Sequence, residues 1–163
     1  NSNSNNSNNS NSNNNNILEN NSATSGSSSG IEIISSSGNN LSSNTASSTS
    51  QNGILLTSSV NNRFVNTRAQ SDATTEPWAA ISLSGTSANN TFINITLQTG
   101  FGWVSSSASA VGNNLTNAEF NATNGSIKII SEVTLPSATY VNISGLNVTF
   151  NKASQDVLTA LQI

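Results

Sequence analysis

Tyr140 to Phe150 reads YVNISGLNVTF. Val141 and Ile143 alternate with Asn142 and Ser144. The phase shifts at Gly145, and Leu146, Val148 and Phe150 then alternate with Asn147 and Thr149. Alternation of period two marks a strand buried on one face, and a glycine at the phase change marks a bulge or tight turn. The outward pairs, Asn142 with Ser144 and Asn147 with Thr149, are each an Asn-x-Ser/Thr sequon, the acceptor for N-linked glycan. One two-residue offset therefore predicts hydrophobic side chains in a core and sugars in solvent, as on the outer face of a secreted β-protein.

Working outward, the chain offers more strands of the same kind. Asn124-Gly125 is a hairpin signal ahead of Ile127 to Leu135. Phe92 to Leu97 (FINITL) alternates cleanly, and Phe101 to Val104 is short and aromatic, with Gly100 and Gly102 around it. Trp78 to Leu83 follows Pro77, Val60 to Val65 is weakly strand-like, and Asn52-Gly53 is a second two-residue turn signal, before Ile54-Leu55-Leu56. At the far end Val157 to Ile163 alternates as a strand, though Val157, Leu158 and Leu161 also fit a short helix stripe capped by Ser154. Seven or more short strands between polar turns predict an all-β fold, an antiparallel Ig-like or pilin-like sandwich over residues 54–163. That segment carries all eight aromatics. No internal repeat of fixed period stands out, which counts against a solenoid.

Residues 1–53 differ. Eight are apolar, two are acidic (Glu19, Glu32), and the other 43 are Asn, Ser, Thr, Gly or Gln. Alone, such a segment buries too little apolar surface to offset its ordering entropy. It reads as an extended polar tail that a neighbouring subunit would hold in place. Its one compact apolar stretch is Gly30-Ile31-Glu32-Ile33-Ile34-Ser35. Two readings stand side by side: the first strand of the protein's own sheet, or a donor strand that completes the sheet of another subunit.

Charged residues make up only 7% of the 163, against about 25% in ordinary globular chains. Four scattered cations (Arg63, Arg68, Lys128, Lys152) and a net charge of -3 argue against a nucleic-acid surface. With no His and no Cys, a Ser-His-Asp triad, a Cys nucleophile and a zinc site are excluded. The seven acids form no constellation for glycoside hydrolysis or an EF-hand-like calcium loop, although Asp72 and Glu76 with Asn carbonyls are conceivable calcium ligands. The expectation is a protein that is not an enzyme and has no metal or cofactor beyond covalent N-glycans. Lys128 in IKII, with Glu132 nearby, raises one covalent alternative, an isopeptide bond; an outward lysine on a strand is the simpler account. No apolar run is long enough to span a membrane, and the start lacks a basic n-region and apolar h-region, so an exported chain would already have lost its signal peptide. Few carboxylates and few basic residues offer acid and trypsin few points of attack, as suits a hot, acidic or protease-rich exterior.

Eleven sequons occur, at Asn5, Asn8, Asn20, Asn40, Asn89, Asn94, Asn114, Asn121, Asn124, Asn142 and Asn147. In so Asn- and Ser-rich a chain the total is near chance. The distribution is not: from residue 89 onward 7 of 11 Asn head a sequon. Those seven, with Asn20 and Asn40, are the candidate glycan sites.

A polar N-terminal arm, an aromatic-bearing β-head and dense sequons with almost no charge together resemble the subunit of the archaeal thread, an extracellular filament of thermoacidophilic archaea. The resemblance rests on layout and sequon density and covers the whole chain. It implies a head-to-tail homopolymer on the cell surface, adhesive and heavily glycosylated, in which Ile31, Ile33 and Ile34 are the donor side chains. Type IV pilins and archaellins share the Ser/Thr/Asn-rich outer domain but begin with a long apolar helix, which NSNSNN is not. The competing expectations are a secreted carbohydrate- or surface-binding module using Trp78, Trp103 and Tyr140 as stacking platforms, and an S-layer or viral coat subunit.

Overall fold

The dipeptide pairs Ile31/Ile33, Ile54/Leu56 and Ile81/Leu83 each place two apolar side chains on one side of a four-residue strand. In the computed structural model, which describes residues 8–11, 14–75, 77–122, 125–135, 137, 140–144 and 147–150, such strands stack in parallel rather than reversing on themselves. A first column contains β1 (Asn8–Asn11), β4 (Ile31–Ile34), β7 (Ile54–Thr57), β10 (Ile81–Ser84) and β13 (Gly102–Ser106). A second contains β2 (Ile17–Glu19), β5 (Asn40–Ser42), β8 (Arg63–Val65) and β11 (Thr91–Ile93). The third contains β3 (Ser22–Ser25), β6 (Thr45–Ser48), β9 (Arg68–Ser71) and β12 (Thr96–Thr99), and the long β14 (Asn113–Ala122) closes both the second and third columns. The result is a β-solenoid of about five turns.

This overturns the antiparallel Ig-like or pilin-like sandwich. Period-two alternation says which side of a strand is buried and nothing about the direction of its neighbour; the corners decide that. Each turn bends at residues in the left-handed region, among them Asn20, Ser43, Asn66, Asn94 and Asn117 (φ 49–55°) between the second and third columns. Asn, Gly and Ser tolerate that region because a short polar side chain or none meets little steric resistance. Single left-handed residues bend the chain without reversing it, so the next strand lands one level up.

The absence of a fixed period is overturned with it. Ile31 pairs with Ile54, and Ile81 with Val104, 23 positions apart. The period holds throughout except at one step, where Ile54 pairs with Ile81 and Phe64 with Phe92. Nine residues join β9 to β10 where five join β6 to β7. A further residue enters near Gly85.

The core consists of stacked ladders, each one residue type deep per turn. Leu41, Phe64, Phe92 and Leu115 form one, with Phe64 and Phe92 stacked at 4.8 Å, the spacing of neighbouring strands. Ala23, Ala46, Ala69, Leu97 and Phe120 form another, so the interior widens towards the C-terminal end. At the narrow end Gly53 lies so close to the third column that a Cβ there would meet Gln70 N at 2.6 Å and Gln70 O at 2.7 Å. Asn52-Gly53 is therefore no hairpin turn. It leads into a parallel strand, and the glycine serves a close approach of two backbones.

A polar ladder is buried alongside. The Asn39 Nδ2 donates to Asn62 Oδ1 (2.8 Å), Asn62 Nδ2 to Asn90 Oδ1 (3.0 Å) and Asn90 Nδ2 to Asn113 Oδ1 (2.9 Å), with Asn16 donating to Asn39 at 3.0 Å. The same oxygens also accept the backbone N–H of the preceding ladder residue. Ser59 and Ser87 repeat the arrangement with hydroxyls. Such ladders satisfy buried corner amides that apolar residues would strand.

Residues 14–53 belong to these turns: Ile31, Ile33, Leu41 and Ala46 lie in the shared core. The boundary expected at 53/54 falls at the start of β7, and parallel pairing runs across it. At the other end the pairing turns antiparallel. β15 (Gly125–Leu135) pairs with β14, as the Asn124-Gly125 signal predicts, β16 (Tyr140–Ser144) pairs with β13, and β17 (Asn147–Phe150) pairs with β16. The last pairing sets Ser144 opposite Asn147, so the phase change at Gly145 separates two strands of a hairpin. Val157 to Ile163 lies outside the described residues.

Candidate functional site

The nine-residue corner, 72–80, is the largest interruption of the 23-residue period among the described parallel turns. Its base is fixed: Ala79 N donates to Asn52 Oδ1 (3.0 Å), Ala80 N to Gly102 O (2.9 Å), and both alanines are fully buried. Trp78 N donates to Thr75 O (3.4 Å), closing a tight bend that carries Pro77 and Trp78 out beside the first column. On the outer face of that column, Leu55, Ser82 and Ser105 stand in register on β7, β10 and β13, with Thr57 and Ser84 in the next row. Corner and face enclose an open groove of about 340 Å³. Its lining combines exposed Pro77 and half-buried Trp78 and Leu55 with the hydroxyls of Thr57, Ser82, Ser84 and Ser105, and no described lining residue is charged.

Of the three aromatics considered as platforms, Trp78 lines this groove. Trp103 is 1% exposed, packs edge-on to Phe120 at 5.1 Å and donates its Nε1–H to Asn121 O (3.0 Å). It is a core residue. Tyr140 pairs with Ser105 through the backbone of β16 and β13; its side chain lies outside the description.

The candidate glycan sites fall into distinct settings. Asn20, Asn89 and Asn94 are exposed and sit at left-handed corners (φ 51–55°). Asn94 also takes part in an outer ladder, donating to Asn66 Oδ1 (3.0 Å) and accepting from Asn117 Nδ2 (2.7 Å). Asn40, Asn114 and Asn121 are half-buried on β5 and β14. The Asn114 Nδ2 donates to Glu132 Oε1 at 2.7 Å across the β14–β15 pair, which engages the very atom a glycan would take. Asn142 and Asn147 lie on β16 and β17, Asn8 on β1, and Asn5 and Asn124 outside the described residues.

The sequon enrichment has a structural cause of its own. In Asn94-Ile95-Thr96 and Asn114-Leu115-Thr116 the middle residue is buried and the flanks face out, while in Asn89-Asn90-Thr91 the middle residue is a ladder asparagine. The turn pattern produces Asn-x-Thr by itself.

Ile31, Ile33 and Ile34 lie on β4, between β1 and β7. Ile31 and Ile33 are buried in the chain's own core and Ile34 faces outward, half-buried. Both hydrogen-bonding edges of β4 are thus occupied within the chain. Lys128 is exposed on β15, opposite Glu119. Among the described residues no cluster of three His, Cys, Asp or Glu side chains forms a metal site, and no helix is long and apolar enough to cross a membrane.

The groove and the ladders are what sequence reasoning missed. The signal of the ladders is a recurring Asn/Gly-Asn-x-Leu/Phe: Asn15-Asn16-Ile17-Leu18, Gly38-Asn39-Asn40-Leu41, Asn61-Asn62-Arg63-Phe64, Asn89-Asn90-Thr91-Phe92 and Gly112-Asn113-Asn114-Leu115. No protein-family model, curated protein or solved structure matches the chain.

Proposed function

We propose that this chain is a structural unit of an extracellular, cell-surface filament, a glycan-bearing rod that associates end to end with copies of itself. The observation that carries the reading is the pair of strand edges at the first turn. Among the described residues, β2 and β3 are the two terminal strands of their sheet, and Ile17, on β2, is 70% exposed. An unpaired edge with an exposed apolar residue is a template for strand addition. Among the described residues the complementary edges are β15 and β17, which makes the contact heterologous, and a heterologous contact that does not close propagates a fibre. Addition at the ends takes the place of an inserted donor strand, since β4 is engaged on both sides. Sparsely charged polar outer faces and corner glycans at Asn20 and Asn89 would keep such rods hydrated and laterally separate. The role is mechanical and adhesive, without catalysis.

The test is negative-stain electron microscopy and sedimentation of the full chain beside Ile17→Lys. Rods that lengthen with concentration and shorten to single particles in the variant are the expected result. Monodisperse particles from both proteins, at every concentration, would remove the filament reading.

A further inference from the structure

We propose that the groove beside the 72–80 corner binds an extended, neutral, β-1,4-linked oligosaccharide lying along the solenoid axis. Three observations lead there. First, the only large interruption of the 23-residue period delivers Pro77 and Trp78 to this face and nowhere else. An indole offers a flat apolar surface, and the axial C–H face of a pyranose packs well against such a surface.

Second, the floor is a row of hydroxyls in register. Ser82 and Ser105 sit on successive strands, with Ser84 and Thr57 in the parallel row. A hydroxyl both donates and accepts, which matches the hydroxyls of a sugar. Neighbouring strands are about 4.7–4.9 Å apart. That spacing is close to the advance of one sugar in an extended β-linked chain, so successive sugars lie over β7, β10 and β13 and meet Leu55 and Thr57, then Ser82 and Ser84, then Ser105. An α-1,4-linked chain curls and loses the match.

Third, no described lining residue is charged, and the hydroxyl floor carries no feature that would repay desolvating an ionic ligand. The ligand is therefore a neutral glycan rather than an acidic polysaccharide.

The experiment titrates the full chain with cellohexaose, chitohexaose and maltohexaose, following tryptophan emission and heat of binding. The expected result is saturable binding of at least one β-linked hexaose, with maltohexaose much weaker. Trp78→Ala should weaken that binding by about tenfold or more. Ser82→Lys, an outward substitution on the groove floor, should abolish it while far-UV circular dichroism and the emission of buried Trp103 stay unchanged. Failure of both β-linked hexaoses to saturate overturns the proposal. So does unaltered binding in Trp78→Ala, or equal binding of maltohexaose.

Discussion

Asn62 shows how much a single side chain does in this fold. Its Oδ1 accepts both the backbone N–H and the Nδ2 of Asn39, at 3.0 and 2.8 Å, in a setting where Asn39 and Asn62 are each 1% exposed. Asn62→Ala leaves those donors without that acceptor. Taking the acceptor from a buried donor costs about 1–3 kcal/mol, so a loss of about that size in urea unfolding is expected. Exposed Thr24→Ala should stay within about 0.5 kcal/mol. Glycines divide in the same way. Gly53→Ala drives a methyl into Gln70 backbone and should cost about 1–3 kcal/mol, whereas at Gly100 a Cβ meets nothing within 4 Å and the change should be near neutral. Glycan occupancy is also decided residue by residue. Expressed in an N-glycosylating host, the chain should carry sugar at Asn20 and Asn89 and leave Asn94 and Asn114 bare, because the Asn94 amide is held by Asn66 and the Asn114 amide by Glu132. Peptide mapping by mass spectrometry checks this.

At the scale of elements, burial was legible in the sequence and direction was not. The alternations at Ile54-Leu55-Leu56 and Phe92 to Leu97 place the right residues inside. Yet a strand with one buried face looks the same whether its partner runs parallel or antiparallel. Asn-Gly pairs mislead for a related reason. At 124–125 the pair joins antiparallel strands, and at 52–53 it precedes a parallel one, where Asn52 anchors the 72–80 corner and Gly53 lets backbones approach. That corner should be separable from the fold. Replacing residues 72–80 with the five that join β6 to β7, Thr49–Gly53, should leave far-UV circular dichroism unchanged and remove the groove. The edges of the first turn are equally discrete. Thr45 N bonds to Asn21 O and Thr49 N to Ser25 O, so the amides of Ser22 and Thr24 point away from β6. Proline at position 24 then leaves the backbone pairing with β6 intact, losing only the exposed hydrogen bond from Ser47 Oγ to Thr24 Oγ1, and blocks strand addition. Thr24→Pro should reduce end-to-end association as Ile17→Lys does, measured by sedimentation.

For the molecule as a whole, the repeat was present in the sequence but obscured. Asn and Ser are so frequent that ladder asparagines do not stand out, and the extra residues at 72–80 and near Gly85 move the last two turns out of phase with the first three. Residues 1–53 look too polar to fold because their few apolar residues count only when summed with those of the turn above. Ile31 alone buries little; Ile31 stacked with Ile54, Ile81 and Val104 is part of a continuous core. Stability in such an array is a sum over neighbours. The candidate groove was the least legible part, since Trp78 reads the same as Trp103 in sequence, and only the packing separates one at the surface from one in the interior.

The widening of the interior has a consequence for folding. A stack of identical turns can leave one looped out and still satisfy every hydrogen bond, because any strand fits above any other. Here the third column grows from Ala69 to Leu97 to Phe120. A chain that skipped a turn would seat Phe120 directly over the methyl of Ala69 and leave Trp103 facing a gap meant for glycine. Each turn thus carries an address written in side-chain volume, and misthreaded stacks are penalised by overfilling before they can close.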